Sequence, residues 1–378
     1  MASARKKIGI FTDFSVKPTV STPASFVLYD WWHSLSKGKL DFKDKSEFRD
    51  TDRFGGLIAT CHQQFDYHPE PTRSDYAVLP CDWKYFVRED LEERAINFLH
   101  RMKEIGKRTI VQYNCDDDLP VQQFSSADSP FVDIVLLLRT SFHVSRQMPN
   151  EYAMPGFIGD HLKVYCGGNI PLRRKNRKPT VSFCGQVEKC PMRMDQIISF
   201  YQQVSNAFQG MDEESKNAVI YAFRAVVLDL LSCSEVINGS IIRRDGYCGG
   251  IDKFHDNDGL VRVRQEYYSN MINSDYVVCV RGKGNYSYRF YEALALGRIP
   301  IFVDTDSPLP FSSTIEWSNH CVFVKERQIM DISEIVASHY AGLSDKGLAD
   351  MQIENRRLFE TLLTPERYFP VLLKTLAV

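Results

Sequence analysis

From 274 to 303 the chain reads SDYVVCVRGKGNYSYRFYEALALGRIPIFV. Two short apolar runs, SDYVVCV and RIPIFV, read as buried strands, and the stretch between them, SYRFYEALAL, keeps helical spacing up to Gly297. A strand, a helix and a second strand joined by short loops pair in parallel, because the crossover helix carries the chain back to the edge where the first strand began. A parallel sheet must be covered on both faces, so this segment commits the chain to an α/β fold.

The same alternation fills the rest of the sequence. KIGIFTDF (7–14) and SDYAVLPCD (74–82) read as strands, and a helix follows with apolar positions Leu91, Ala95, Phe98, Leu99, Met102 and Ile105, stopped by Gly106. KRTIVQYNCDDD (107–118) and DIVLLLRTS (133–141) return as strands. The pattern restarts after 178 with the strand KPTVSFCGQ, the helix MRMDQIISFYQQVSNAF (192–208), the short strand and glycine-rich turn SIIRRDGYCGG (240–250), and the helix GLVRVRQEYYSNMINS (259–274), whose YYSNM reads as packing. CVFV (321–324) is a last strand, and the chain is helical from about Asp331. At 378 residues the chain exceeds the roughly 100 to 200 of one domain. The reading is two Rossmann-like domains, 1–170 and 171–350, with 351–378 a helical tail that returns to the first.

Charge narrows the partners. With 46 basic against 48 acidic residues and a net charge of −2, the basic excess of a nucleic-acid-binding protein is missing. The dense basic run LRRKNRK (172–178) reads as a solvated linker or as peripheral contact with an anionic membrane surface. The ten cysteines form no CxxC pair, which argues for reduced thiols in a cytoplasmic protein and against a zinc site. The N-terminus MASARKKIGIFTDF lacks the apolar core of a secretory signal, and the longest apolar run, IVLLL, is far short of a membrane span.

The loop RGKGN holds the chemistry. In an open parallel sheet, ligands bind beyond the carboxyl ends of the strands, where helix N-termini present free N–H groups and partial positive charge. Ser287 is placed as the N-cap of the following helix, and Gly282 and Gly284 allow close backbone approach to an anion. Arg281 and Arg289 add charge-assisted donors, with Tyr288 between Ser287 and Arg289 in the same donor set. Glu292 lies about one turn beyond Arg289, better placed for neutral hydroxyls than for a phosphate. The order is neither GxxxxGK[ST] nor GxGxxG. Spacing alone leaves two readings, an anion site and a structural turn with a helical Arg289–Glu292 salt bridge.

These residues carry a family resemblance. The stretch from SDYVVCVRGKGNYSYRFYEALALGRIPIF through VDTDSPLPFSSTIEWSNHCVFVKE resembles the exostosin family of glycosyltransferases (family 47), in its RG, serine, arginine and Glu-Ala at Arg281, Gly282, Ser287, Arg289, Glu292 and Ala293. Gly297, Ile299 and Pro300, then Leu309, Pro310 and Phe311, then Ile315 and Trp317, extend it, and the segments FCGQ and IIRRDGYCGG match more loosely. The resemblance implies a GT-B fold, two Rossmann-like domains facing a cleft, with the first on the acceptor side and the second holding a nucleotide sugar, UDP- or GDP-linked. It implies inversion at the sugar carbon without a bound metal and with no cofactor beyond the donor. Arg281 and Arg289 would contact the diphosphate, Ser287 the phosphate or sugar, Glu292 the ribose, and Arg243 and Arg244, on the preceding turn, would complete the clamp.

An inverting transfer needs a general base to take the acceptor hydroxyl's proton. Asp13 and then Asp117 are the favoured candidates, ahead of Asp116, Asp118, His33 and His62. An Asp after a strand is commonly a cap or turn former, and the DTD at 304–306 reads as a turn rather than a metal ligand. Trp31, Trp32 and Tyr29 could stack on an acceptor sugar or belong to the core. The expected activity is transfer of a sugar to an oligosaccharide or glycan acceptor. The competing readings are a nucleotide-sugar epimerase and a non-catalytic nucleotide- or glycan-binding module.

Overall fold

The computed structural model describes residues 7–19, 22–28, 50–187, 213–252 and 256–377. The expected helix 192–208, the aromatic group Tyr29, Trp31 and Trp32, and His33 lie outside the described residues. Backbone contacts divide the chain into two units. The first runs to Gly159 and takes Pro308–Pro310 and the chain from Leu362, while the second holds Asp160–Ser307 and Phe311–Thr361.

The first unit is built on strands β1 (Ile8–Phe11), β2 (Phe65–His68), β3 (Tyr76–Val78), β4 (Thr109–Tyr113), β5 (Val135–Arg139) and β6 (Glu151–Ala153), ordered β2-β1-β3-β4-β5-β6. All their pairings are parallel, as the strand–helix alternation requires. Helices α1 (Asp50–Gln64), α2 (Trp83–Arg88) and α3 (Glu92–Glu104) and the C-terminal helix Pro365–Thr375 complete it. On α3, Ala95, Phe98, Leu99 and Met102 are the buried positions, and Gly106 ends the turn with φ +64°. Phe98, Leu99, Phe86 and Leu137 are fully buried in this core, and each such side chain contributes about 1.5–3 kcal/mol. The C-terminal helix is tied in by Tyr368 Oη donating to the Ala153 carbonyl, and by Glu366, which packs where a Cβ on Gly56 of α1 would stand. Sequence patterning passed over α1, β2 and β6. Helix α1 carries a Gly55–Gly56 pair that weakens its stripe, and the two strands are short edge strands with little alternation to read.

The second unit holds strands β7 (Thr180–Gln186), β8 (Asn238–Arg244), β9 (Tyr276–Cys279), β10 (Ile299–Asp304) and β11 (Val322–Lys325), ordered β11-β10-β9-β7-β8 and again parallel throughout. Its helices are α4 (His161–Cys166), α5 (Glu213–Ser232), α6 (Asn257–Ile272), α7 (Tyr288–Ala295), α8 (Ile332–Gly342) and α9 (Asp345–Leu358). Val181, Phe183, Leu228, Val278, Ile301 and Val336 share one core cluster. Two parallel α/β sheets, each with its own core, match the α/β, GT-B composition expected from the sequence.

One placement differs. Arg243 and Arg244 are the last two residues of β8, paired in register with Gly185 and Gln186, and not part of the following turn, because the β7–β8 ladder runs its full length. The basic run is anchored to the second unit: Arg173 pairs with the fully buried Asp275 at 3.2 Å, and Lys175 donates to the Ala341 and Leu343 carbonyls. Arg174 and Arg177 stay exposed. Among the described residues no helix is long and apolar enough to cross a membrane.

Candidate functional site

The strand order of the second unit reverses at β7. From β7 the chain goes to β8 on one side and later to β9 on the other, so the carboxyl ends of β7 and β9 flank a topological switch point. The FCGQ end of β7 and the CVRG end of β9 meet there, two segments far apart in sequence.

Arg289 joins them. It sits in the first turn of α7, and its outer nitrogen donates 2.8 Å to the Cys184 carbonyl. The guanidinium stacks 4.1 Å from the Phe183 ring centroid and 5.5 Å from that of Tyr267. A Cβ on Gly185 would stand 2.8 Å from the same nitrogen, which explains a glycine at the end of this strand. A second guanidinium comes from α5: Arg224 donates to the Gln186 carbonyl at 3.0 Å and to the Arg281 carbonyl at 2.7 Å, bridging the two strand ends. Arg281 itself is buried and donates to the Lys283 carbonyl at 3.2 Å.

Two guanidinium groups come together at this point, and although burial works against the Arg289 charge, Tyr267, Cys279 and Glu292 hold its pKa above the ordinary value. Among the described residues the hydrogen bonds of Arg224 and Arg289 run to main-chain carbonyls, and the buried Nε of each has no acceptor. Burial, and then the neighbouring Arg289 charge, push the Arg224 pKa down to about 10 from 12.5. That difference corresponds to about 3 kcal/mol against the cation. Two buried cations, hydrogen-bonded to neutral carbonyls and stacked on Tyr221, Phe183 and Tyr267, make an arrangement that a nearby anion would stabilise.

The RGKGN loop is fixed from behind. Fully buried Asn285 accepts from Thr305 (2.7 Å) and Ser307 (2.9 Å) and donates to the Asp306 carbonyl at 3.1 Å, tying the loop after β9 to the loop after β10. The Gly282 amide donates to the Tyr286 carbonyl within the loop, and a Cβ on Gly282 would meet nothing closer than Arg224 at 4.0 Å. Ser287 occupies the N-cap position with extended backbone, its hydroxyl not folded back onto the helix. Tyr288 packs edge-on against Tyr286. The DTD segment is a turn, as read from sequence: the Asp306 amide donates to Asp304, and Asp306 has φ +62°.

The Arg289 guanidinium is directed at the Cys184 carbonyl, and against burial the Tyr267 and Glu292 groups beside it help to hold its pKa above the ordinary value. The buried Glu292 carboxylate accepts from the hydroxyls of Tyr267 and Tyr268, and the Tyr268 hydroxyl also contacts His161 Nε2 at 2.9 Å. Burial, with the Glu292 charge adding to it, raises both phenols well above their ordinary pKa and keeps them as donors. The YYSNM stretch therefore does more than pack: it orients the one carboxylate on α7.

The other expected residues lie elsewhere. Arg243 pairs with Asp229, and Arg244 with Glu266 and the Val263 carbonyl, beside a shallow pocket of about 460 Å³ also lined by Gly249 and Gly250. In the first unit Asp13 caps the short helix Phe14–Val16 and pairs with Arg101 at 3.1 Å. Burial would raise its pKa, but the Ser15 and Arg101 contacts outweigh it and hold it below the usual value. Asp117 accepts from the Leu119 amide (3.0 Å) and the Tyr113 hydroxyl (3.2 Å), Asp118 pairs with His143 at 3.4 Å, and His62 is exposed on α1. Arg224, Asn285 and the tyrosine pair were missed in the sequence. Arg224 sits between Phe223 and Ala225 in an apolar helix, where only its interruption of the buried face could have marked it.

Comparison with known proteins gives a consistent picture. Residues 228–339 match the Exostosin GT47 domain family. The chain is 27% identical over 296 residues to Exostosin-1b of Danio rerio, covering 76% of this chain and 36% of that protein. It is 36% identical over 75 residues to the Exostosin-1 homolog of Caenorhabditis elegans, 20% of each chain. It is 35% identical over 74 residues to the Probable glucuronosyltransferase GUT1 of Oryza sativa subsp. japonica, 20% of this chain and 18% of that protein. The matched part thus spans about a third or less of these relatives.

Proposed function

We propose that this chain, whose residues 228–339 match the Exostosin GT47 domain family, is a glycosyltransferase that moves a sugar from a nucleotide-activated donor to a glycan acceptor. The observation that carries the reading is the pair of buried cations, Arg224 and Arg289, at the β7/β9 switch point, whose hydrogen bonds among the described residues run to main-chain carbonyls. When the bond from sugar to nucleotide breaks, negative charge grows on the leaving diphosphate, and fixed guanidinium groups stabilise it as it forms. In our reading the transfer is inverting, uses no metal, and takes a UDP- or GDP-linked donor, with Arg281, Arg289, Ser287 and Tyr288 around the diphosphate. In the same reading the Glu292 carboxylate, which accepts a phenol on each oxygen, faces the ribose hydroxyls.

Of the two carboxylates put forward as general base, Asp117 is the stronger candidate. Asp13 is held by Ser15 and Arg101, which lower its pKa, while the exposed Asp117 accepts, among the described residues, from the neutral Tyr113 hydroxyl and Leu119 amide. The described cysteines are free thiols, which supports placing the reaction in the cytoplasm. Any peripheral membrane contact through 172–178 would rest on Arg174 and Arg177.

The test is incubation with a panel of nucleotide sugars, with and without glycan acceptors. Acceptor-dependent nucleotide release is expected, and Arg289→Ala should abolish it. Donor interconversion without acceptor would instead indicate an epimerase, and binding without turnover a non-catalytic module.

A further inference from the structure

The first unit commits a buried ion pair to holding an exposed loop. Arg139, the last residue of β5, and Glu151, the first of β6, are 1% and 2% exposed and meet at 2.9 Å. The other outer nitrogen of Arg139 turns away from the pair and donates to two main-chain carbonyls of the loop after β4, Asp117 at 3.1 Å and Leu119 at 2.7 Å. Glu151 is fixed in turn, accepting from the Ser125 hydroxyl at 2.5 Å and the Met148 amide at 3.0 Å. The Asp117 carboxylate accepts from the Leu119 amide and the Tyr113 hydroxyl, and the Tyr113 ring centroid lies 5.7 Å from the Arg139 guanidinium. Resting on the reading of Asp117 as general base, we infer that Arg139 is the positioning residue for that base: it fixes the main chain at Asp117 and Leu119 and packs beside the phenol that contacts the carboxylate.

Stability alone does not explain this arrangement. A buried ion pair adds little over apolar side chains of the same shape, because taking both charges out of water offsets their attraction. The Arg139 Nε–H is moreover buried without an acceptor among the described residues, a further cost of placing an arginine there. What only an arginine supplies is a planar fork with one arm on Glu151 and the other on the loop, since a lysine is a single point charge. The residues after Arg139 reach the same loop. The Thr140 hydroxyl lies 3.2 Å from Asn114 Oδ1 and 3.4 Å from the Cys115 carbonyl, and His143 pairs with Asp118 at 3.4 Å. Three side chains from 139–143 thus fasten 114–119, while Asp116 and Asp117 stay exposed. Exposed loops are ordinarily tied down far less. One held this firmly at the carboxyl end of a parallel sheet keeps a carboxylate in a fixed place, as proton abstraction from a bound hydroxyl requires.

The experiment is a double-mutant cycle on the full chain, comparing wild type, Arg139→Lys, Asp117→Asn and the double variant. The readout is nucleotide release from a panel of UDP- and GDP-linked sugars with glycan acceptors. Asp117→Asn is expected to lower kcat by about a hundredfold or more, the scale of a lost general base. Arg139→Lys keeps a charge beside Glu151 but loses the fork, so kcat should fall by about tenfold or more while donor KM stays within about twofold. Hydrogen exchange at the Leu119 amide should quicken in the same variant. In the double variant Arg139→Lys should cost nothing beyond Asp117→Asn, because the group it positions is gone. If Arg139→Lys fails to fold, the cycle is run with Arg139→Gln and Glu151→Gln together, which removes both charges and leaves neither unpaired. Losses that multiply in the double variant, a donor KM that rises as far as kcat falls, or an unchanged kcat would each overturn the inference. Full turnover by Asp117→Asn would overturn it too and leave the transferase reading standing, whereas a wild type that transfers no sugar would remove both.

Discussion

The outer nitrogen of Arg289 donates to the carbonyl of Cys184 across 2.8 Å, so helix α7 reaches past β9, the strand it follows, onto the end of β7. That contact sets the position of the cation at the switch point and depends on the absence of a side chain at Gly185.

Substituting Gly185→Ala should therefore act on binding more than on folding. The new methyl would displace the end of a flexible side chain, not main chain, so unfolding free energy should fall by about 1 kcal/mol or less. Nucleoside diphosphate affinity should drop by about fivefold or more, because the displaced guanidinium loses its fixed direction. Paired denaturation and titration measurements would separate the two effects, and an unchanged affinity would argue against this placement of the anion.

Tyr268→Phe removes a hydroxyl that links Glu292 and His161 in a buried chain. Leaving those groups without their partner should cost about 1–3 kcal/mol in urea unfolding. If Glu292 receives the ribose, affinity for a nucleoside diphosphate should weaken while affinity for pyrophosphate stays the same.

Asp160 makes a two-pronged pair with Arg356, Oδ1 to Nη1 at 2.9 Å and Oδ2 to Nη2 at 2.8 Å. Burial would raise its pKa, but Arg356 and then Lys163 outweigh burial and hold it below 3.8. A carboxyl with a depressed folded-state pKa adds stability that is fully present above the unfolded value and is lost as pH falls through the folded one. Wild-type stability should decline below about pH 4. Asp160→Asn should cost about 2 kcal/mol at neutral pH and flatten that acid limb, as melting temperature against pH would show.

Gly297 closes α7 with φ +66°, and a Cβ there would stand 2.9 Å from the Gln352 carbonyl oxygen. Left-handed backbone costs an L-residue about 1–2 kcal/mol, and the main-chain clash adds to it. Gly297→Ala should lose at least about 2 kcal/mol in denaturant unfolding. A loss below half of that would mean that α9 can shift to make room.

Local chemistry made much of this protein legible in advance. The strands around KIGIF, TIVQY, IVLLL, TVSFCG, YVVC and IPIFV stand out because parallel strands buried on both faces must be continuously apolar. The helix opening at Tyr288 and closing before Gly297 is visible for the same local reasons, a polar cap position and a residue tolerant of positive φ. The edge strands β2 and β6 and helix α1 are not, since edges and glycine-interrupted helices carry little period of their own.

The sequence alone determined that the chain folds as two parallel α/β units and that the loop after β9 presents arginines at a helix N-terminus, because strand burial, helix capping and short connections are local consequences of residue type. Only the tertiary structure decided which groups stand beside that loop. Strand order brought β7 to β9, placed Gly185 under Arg289 and turned Arg224 out of an apolar helix toward Arg281, while sending Arg244 to Glu266 and Glu292 to a pair of tyrosines. Those partners come from distant segments, and their pairing follows from which strands lie side by side, which no single stretch of the chain encodes.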